Sequence, residues 1–151
     1  MPPKKSSTTE KAEKKAASGK YIEAVGRRKT AIARVRISAA KDKKDGEPEI
    51  TVNEKDLNKY FPLKKDQATI MSPFKAISLK GYSGMVKVSG GGPNAQSEAI
   101  RLGFSRAFVK MDPSFRHQLK SLGFLKRDPR MVERKKYGKR KARRPQQWRK
   151  R

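Results

Sequence analysis

The residues of this chain that could do chemistry are mostly cations. Gly26-Arg27-Arg28-Lys29 leads into a strand-like segment whose outward positions are Arg34 and Arg36. A guanidinium group can donate two parallel hydrogen bonds to a phosphate, and a lysine ammonium adds a point charge. The cluster therefore indicates a phosphate-binding surface, and a solvated basic face is the alternative interpretation.

Three consecutive glycines offer a second place for an anion. Gly90-Gly91-Gly92 lies between a predicted strand and a predicted helix, and amides exposed at a helix N-terminus bind phosphate groups. Together with Ala95 the run matches the G-x-G-x-x-A spacing of dinucleotide sites, but no convincing strand ending in an acidic residue follows the helix. Contact with a nucleic-acid backbone and a plain flexible turn both fit these glycines.

No catalytic or metal centre is indicated by the remaining polar residues. The chain has no Cys and one His, His117, which has no recognisable nucleophile beside it and follows Arg116. The acidic residues are interleaved with Lys and Arg, which favours surface charge over acid–base catalysis. We therefore expect no enzyme activity, no cofactor, no metal and no small-molecule substrate.

The amount and distribution of charge indicate a polyanionic partner. The 151 residues include 40 Lys and Arg against 14 Asp and Glu, a net charge of +26, which would make a compact body repel itself. Residues 134–151 contain 11 basic and no acidic residues and almost no aliphatic surface, so we predict a tail that is disordered when free. Residues 1–20 read as a second disordered arm, and residues 21–133 suffice for one domain.

Aromatic residues within the tail favour RNA over duplex DNA. Tyr137 and Trp148 lie among the cations, and an aromatic ring can stack on an unpaired base. The mean hydropathy is −0.95, and no apolar run approaches the roughly 20 residues of a membrane helix. We therefore expect no membrane partner and no secretory signal.

The elements that must position these residues alternate between strand and helix. Every second residue is apolar over Thr30 to Ile37 and again near Val86 and Val88 in Tyr82 to Ser89, which predicts two strands. The first strand is predicted to form a hairpin with Ile50 to Val52. Asn53 is expected to cap a short helix that Pro62 stops, and Leu63 to Ile77 to form a helix broken at Pro73.

The clearest helix follows the glycines. Its core-facing stripe spans an arc of about 100° and ends at Asp112-Pro113; it consists of Ile100, Phe104, Ala107, Phe108 and Met111. A second short helix is predicted over Ser114 to Leu122, closed by Gly123, and one more turn over Pro129 to Glu133. The whole predicts an α/β (α+β) domain, a mixed sheet with helices packed on it.

Four segments, in this order and spacing, resemble one known family over about residues 21–151. They are Gly26-Arg27-Arg28-Lys29-Thr30-Ala31-Ile32-Ala33-Arg34-Val35, Gly90-Gly91-Gly92, Ala99-Ile100-Arg101 with Arg106-Ala107, and Arg127-Asp128-Pro129-Arg130-Met131-Val132-Glu133-Arg134-Lys135-Lys136-Tyr137-Gly138. The chain is similar to the ninth protein of the bacterial small ribosomal subunit. The resemblance implies a structural protein of the subunit head in a cytoplasmic bacterial ribosome, with an organellar ribosome as the less favoured alternative. Its implied partners are the 3′ major domain of the small-subunit rRNA, the peptidyl-site tRNA and neighbouring ribosomal proteins.

Position by position, the resemblance assigns residues to two RNAs. Those implied to bind rRNA are Arg27, Arg28, Lys29, Gly90, Gly91, Gly92, Arg127, Arg130, Arg134, Lys135, Lys136, Lys139, Arg140, Lys141, Arg143 and Arg144, and those implied to contact tRNA are Arg149, Lys150 and Arg151. The end departs from the family pattern, since Pro145 comes one place early, Trp148 stands for Phe and Arg149 for Ser. A nucleoid-like DNA-binding protein is the competing interpretation, although no duplex-docking element is recognisable.

Overall fold

A mixed five-stranded sheet with four helices on one face forms the core of the described chain. The computed structural model describes residues 21–39, 48–79 and 81–147, and the predicted leader, residues 1–20, lies outside that part. The predicted α+β fold is confirmed. In chain order the elements are β1 (Ile22–Arg28), β2 (Ala31–Ala39), β3 (Glu49–Val52), β4 (Lys55–Asp56), α1 (Leu57–Tyr60), α2 (Lys64–Ala76), β5 (Tyr82–Ser89), α3 (Pro93–Met111) and α4 (Phe115–Ser121).

The strand order differs from the predicted hairpin. The order is β1-β2-β5-β3-β4, so β5 lies between β2 and β3, and β2 pairs antiparallel with β1 and β5. β3 pairs parallel with β5, and the connection between them contains β4, α1 and α2. The predicted hairpin of β2 with β3 is therefore wrong, because alternation specifies which face of a strand is buried and not which strand lies beside it.

The core lies between the sheet and α3. The helix-facing residues of β2, Ala31, Ala33, Val35 and Ile37, are at most 3% exposed, as their alternation predicts. α3 crosses very close to β1: a Cβ atom at Gly26 would overlap the carbonyl oxygen of Ala99 and lie 2.6 Å from the backbone nitrogen of Gly103. Glycine at this position therefore allows the helix to contact the strand backbone.

The stripe predicted for α3 is confirmed as the apolar centre. Ile100, Phe104, Ala107 and Phe108 are fully buried, and Met111 is half-buried at the end of the helix. Phe74 of α2 packs edge-on against Phe104 and Phe108, with ring centroids 4.8 and 4.9 Å apart. α2 and α3 thus share one aromatic cluster.

Three local predictions are wrong. Pro73 does not break α2: the Thr69 carbonyl that it leaves without an amide donor accepts a hydrogen bond of 2.7 Å from the Ser72 hydroxyl. Asn53 does not cap a helix but lies in a turn, where its side chain donates to the Val88 carbonyl and accepts from the Val88 amide. Pro129 to Glu133 forms no helical turn.

Candidate nucleic-acid interface

The basic cluster at residues 27–29 lies at the tight turn between β1 and β2. Arg28 pairs with Ala31 across the two strands, so Lys29 and Thr30 alone form the turn. Lys29 has a φ of 50°, a left-handed conformation that is unusual for a lysine. Arg27, Lys29 and Thr30 are all exposed. The turn therefore presents two cations to solvent at one end of the sheet.

The glycine loop packs directly against this turn. Gly90 and Gly91 have φ values of 71° and 68°, which favour glycine. A Cβ atom at Gly90 would lie 2.6 Å from the Thr30 carbonyl oxygen, and one at Gly91 would lie 2.9 Å from the Ala31 Cβ. The absence of side chains at Gly90 and Gly91 thus allows the loop backbone to contact the backbone at Thr30 and Ala31. It also leaves an exposed main-chain surface where α3 begins.

Arg28 faces into the protein, unlike its neighbours. Its side chain is 12% exposed, and its Nε pairs with the Glu98 carboxylate of α3. Nη2 lies 3.0 Å from the Asp128 carboxylate, and Nη1 donates to the Arg130 carbonyl at 2.8 Å. The guanidinium group is therefore already engaged within the protein. It joins β1, α3 and the segment that leads into the tail.

Asp128 and Arg130 form a second ion pair at the same place. Arg130 donates from Nη2 and Nε to both carboxylate oxygens of Asp128, at 2.8 and 3.1 Å, and from its backbone amide at 2.9 Å. These bonds, and then the charge of Arg28, hold the pKa of Asp128 far below its usual range. The Arg130 side chain is still 84% exposed, and Arg127 is exposed as well.

The described part of the tail folds back on itself. Lys139 and Pro145 form an isolated bridge, and the Arg140 amide donates to the Arg144 carbonyl at 2.9 Å. Glu133 pairs with Lys136 and Arg143, each at 3.0 Å, and these two hydrogen bonds lower the pKa of its carboxyl. Charge alone did not predict this closed turn, and the mobility of the free tail stays a prediction. The other cations of residues 134–147 are exposed; they are Arg134, Lys135, Lys139, Arg140, Lys141 and Arg144.

The structure thus brings together the predicted residues of the turn, the glycine loop and the start of the tail. Arg149, Lys150, Arg151 and Trp148 lie outside the described residues. Three anionic partners of these cations were not predicted from the sequence: Glu98, Asp128 and Glu133. Glu98 had no local signal, because its partner lies 70 residues away along the chain.

Within residues 21–39, 48–79 and 81–147, no group of three or more His, Cys, Asp or Glu could hold a metal ion. In the same ranges no helix is long and apolar enough to span a membrane.

Comparison with known proteins identifies the family. The ribosomal protein S9/S16 family matches residues 26–151. A small ribosomal subunit protein uS9 of Amoebophilus asiaticus is 47% identical over 131 residues, covering 86% of this chain and 98% of the relative. The protein of the same name from Thermus thermophilus is 45% identical over 127 residues, covering 83% of this chain and 94% of the relative. The chain therefore belongs to the ribosomal protein S9/S16 family, a family of structural proteins and not of enzymes.

Proposed function

We propose that this protein is a structural component of the small ribosomal subunit head that binds the 3′ major domain of the rRNA beside neighbouring ribosomal proteins. The observation that carries the proposal is the convergence of the β1–β2 turn, the glycine loop and the start of the tail. Exposed cations there surround backbone without side chains, so a phosphate can approach both amides and cations. The compartment proposed is the bacterial cytoplasm.

The largely buried Arg28 and the exposed cations have different roles in this proposal. Arg28 positions the tail, because its guanidinium group is occupied by Glu98, Asp128 and the Arg130 carbonyl. The exposed cations contact the rRNA backbone together with Gly90, Gly91 and Gly92; they are Arg27, Lys29, Arg127, Arg130, Arg134, Lys135, Lys136, Lys139, Arg140, Lys141, Arg143 and Arg144. Residues 134–151 then act as an RNA-binding tail attached to the domain of residues 21–133.

The end of the tail contacts the peptidyl-site tRNA in this proposal. From Arg134 to Arg151 a fully extended chain would span about 55 to 60 Å. With the turn closed between Lys139 and Pro145, the same path shortens to about 40 Å. Either length suffices to carry Arg149, Lys150 and Arg151 away from the domain, and the turn adjusts how far they reach.

Binding to rRNA is tested by comparing a 3′ major domain fragment with duplex DNA of equal length over a series of salt concentrations. If roughly ten cations are engaged, the slope of log K against log salt is about −7 to −9. We expect tighter binding to the rRNA fragment at every salt concentration and co-sedimentation with small subunits after a high-salt wash. Equal affinity for both nucleic acids would favour the nucleoid-like function instead. A slope shallower than about −3 would show that the tail does not contact the phosphate backbone of the RNA.

A matched pair of double variants tests the interface itself. Arg27→Gln/Lys29→Gln removes two exposed cations at the turn, and Lys64→Gln/Lys65→Gln removes two exposed cations at the start of α2. We expect the first variant to bind rRNA more weakly and to show a salt slope whose magnitude is smaller by about 1.5. The second variant should change neither the affinity nor the slope. An equal effect of both variants would show that binding follows net charge and not this surface.

A further inference from the structure

The face of the sheet opposite the helices carries a second group of cations. Its residues alternate with the buried ones, and the described helices leave it uncovered. The pairing register arranges its side chains in three rows across β1, β2 and β5. These rows are Arg27-Ile32-Ser89, Val25-Arg34-Lys87 and Glu23-Arg36-Met85.

One carboxylate orients two of these cations. Glu23 accepts hydrogen bonds from Arg34 at 2.7 and 3.1 Å and from Arg36 Nε at 2.9 Å. The Arg36 guanidinium also lies over the ring of Tyr21, 4.9 Å from its centroid. Within the described residues, Nη1 of Arg34 and both Nη atoms of Arg36 have no hydrogen-bond partner. The two arginine side chains are thus held in place, and their remaining Nη groups are available to donate hydrogen bonds to a ligand.

The central row places two cations side by side, and of these two, Glu23 pairs with Arg34. Arg34 and Lys87 are direct partners across β2 and β5, and like charges in such a pair destabilise a sheet. Glu23 is the one acidic residue among the nine positions of the three rows, against four cations, and Glu49 continues the same face on β3. An anion that bridges the central row would relieve this repulsion.

The arrangement favours a polyanion over a protein partner. The cores of protein interfaces are depleted in lysine, although arginine and methionine are enriched there. Here Arg34 and Lys87 occupy the centre, and they separate the exposed apolar side chains of Ile32 (41% exposed) and Met85 (54% exposed). No continuous apolar patch forms among these described residues, whereas phosphates can meet the cations and sugars or bases can meet the isolated apolar groups.

We propose that this open sheet face is a second RNA-binding surface, on which Arg34, Arg36 and Lys87 contact backbone phosphates and Met85 contacts a ribose or base. The proposal rests on the rRNA-binding function proposed above and extends it. Arg27 belongs both to this face and to the β1–β2 turn, so one RNA segment can follow the turn onto the sheet. The two surfaces therefore meet without a gap.

The affinity test uses the full-length protein and the rRNA 3′ major domain. Arg34→Gln/Lys87→Gln removes the central cations, while Glu23 keeps Arg36 as a partner, and Lys64→Gln/Lys65→Gln serves as the control of equal charge. We expect the magnitude of the salt slope to fall by about 1.5 for the first variant only. If the wild-type protein binds steeply and the two variants behave alike, this surface is refuted and the proposed function stands. If the wild-type protein itself shows no preference for rRNA, the proposed function fails first.

A photocrosslink identifies the partner directly in assembled subunits. The photoreactive residue p-benzoyl-phenylalanine replaces Met85, and in the control it replaces Leu63, which is 63% exposed near the start of α2. We expect rRNA crosslinks from position 85 that are absent or weaker from position 63. A crosslink from position 85 to another protein, or no crosslink from it, would overturn the assignment to RNA.

Discussion

Replacing Arg28 by glutamine tests whether this residue positions the tail, as proposed, while its exposed neighbours contact RNA. The Arg28 side chain is 12% exposed, whereas the Glu98 and Asp128 side chains are 34% and 30% exposed. Breaking a fully buried ion pair costs about 3 to 5 kcal/mol, and an exposed pair contributes at most about 1 kcal/mol. Because Glu98 remains partly hydrated, we place the loss for Arg28→Gln between these limits, at about 2 kcal/mol.

Urea denaturation of the free protein measures this loss. A decrease of about 2 kcal/mol lowers the midpoint by about 1 M for a slope near 2 kcal/mol/M. The matched control is Arg27→Gln, one residue earlier but exposed, whose effect on stability should stay within about 0.5 kcal/mol. Adding Glu98→Gln to Arg28→Gln should recover part of the loss, because no unpaired carboxylate then remains beside α3.

The two arginines are expected to behave in opposite ways towards RNA. Arg27→Gln should weaken rRNA binding with unchanged stability, and Arg28→Gln should lower stability with an unchanged salt slope. If Arg28→Gln leaves the urea midpoint in place and reduces the slope by about one, Arg28 contacts phosphate and the positioning role is refuted.

Three further variants or conditions probe other parts of the molecule. Gly26→Ala should destabilise the domain by about 3 kcal/mol or more, since its Cβ would overlap the Ala99 carbonyl; a urea midpoint equal to wild type would contradict the close packing. Because the pKa of Glu133 is lowered, its contribution to the stability of the closed turn is complete above its ordinary pKa of 4.5 and is lost as pH falls through the lowered value. The NMR signal of the Arg143 Nε–H group should shift over that same pH range. In the Glu133→Gln variant the signal should not shift. Deleting Arg149 to Arg151 should leave subunit assembly nearly intact and speed tRNA dissociation from the peptidyl site, and failed assembly would instead assign these residues to rRNA.

Alternation of apolar residues predicted β2 and β5 well but failed for β1. The positions of β1 that face the helix include Ala24 and Gly26, which are small because α3 lies so close to the strand. Small residues produce little hydrophobic contrast, so the strand had no strong signal of its own. The order of the strands was equally hidden, since the contacts that choose β5 as the neighbour of β2 join residues about 50 apart along the chain.

The cations of the proposed interface could be predicted from the sequence. Which of them pair within the protein and which are exposed could not. Adjacent residues of a strand point to opposite faces, so Arg27 and Arg28 must differ once β1 is recognised. Arg28 follows Ala24 and Gly26 on the face covered by α3, where Glu98 lies. Because β1 was not predicted from the sequence, nothing in the pattern distinguished Arg27 from Arg28.

The pairing of Arg28 also supports the proposal that a tail of such high charge binds RNA at a defined place. A flexible cationic segment loses conformational entropy when it binds, and this loss falls if one end is already fixed. Arg28 fixes that end, because its Nη1 bonds to the Arg130 carbonyl and its Nη2 pairs with Asp128. The cations from Arg134 onwards therefore start from a fixed position near the β1–β2 turn, and in the proposed complex the first phosphates they meet are those bound at that turn. In the proposed complex, an RNA segment bound at the turn raises the effective concentration of its neighbouring phosphates for the tail, so the turn and the tail strengthen each other's binding without any change of fold.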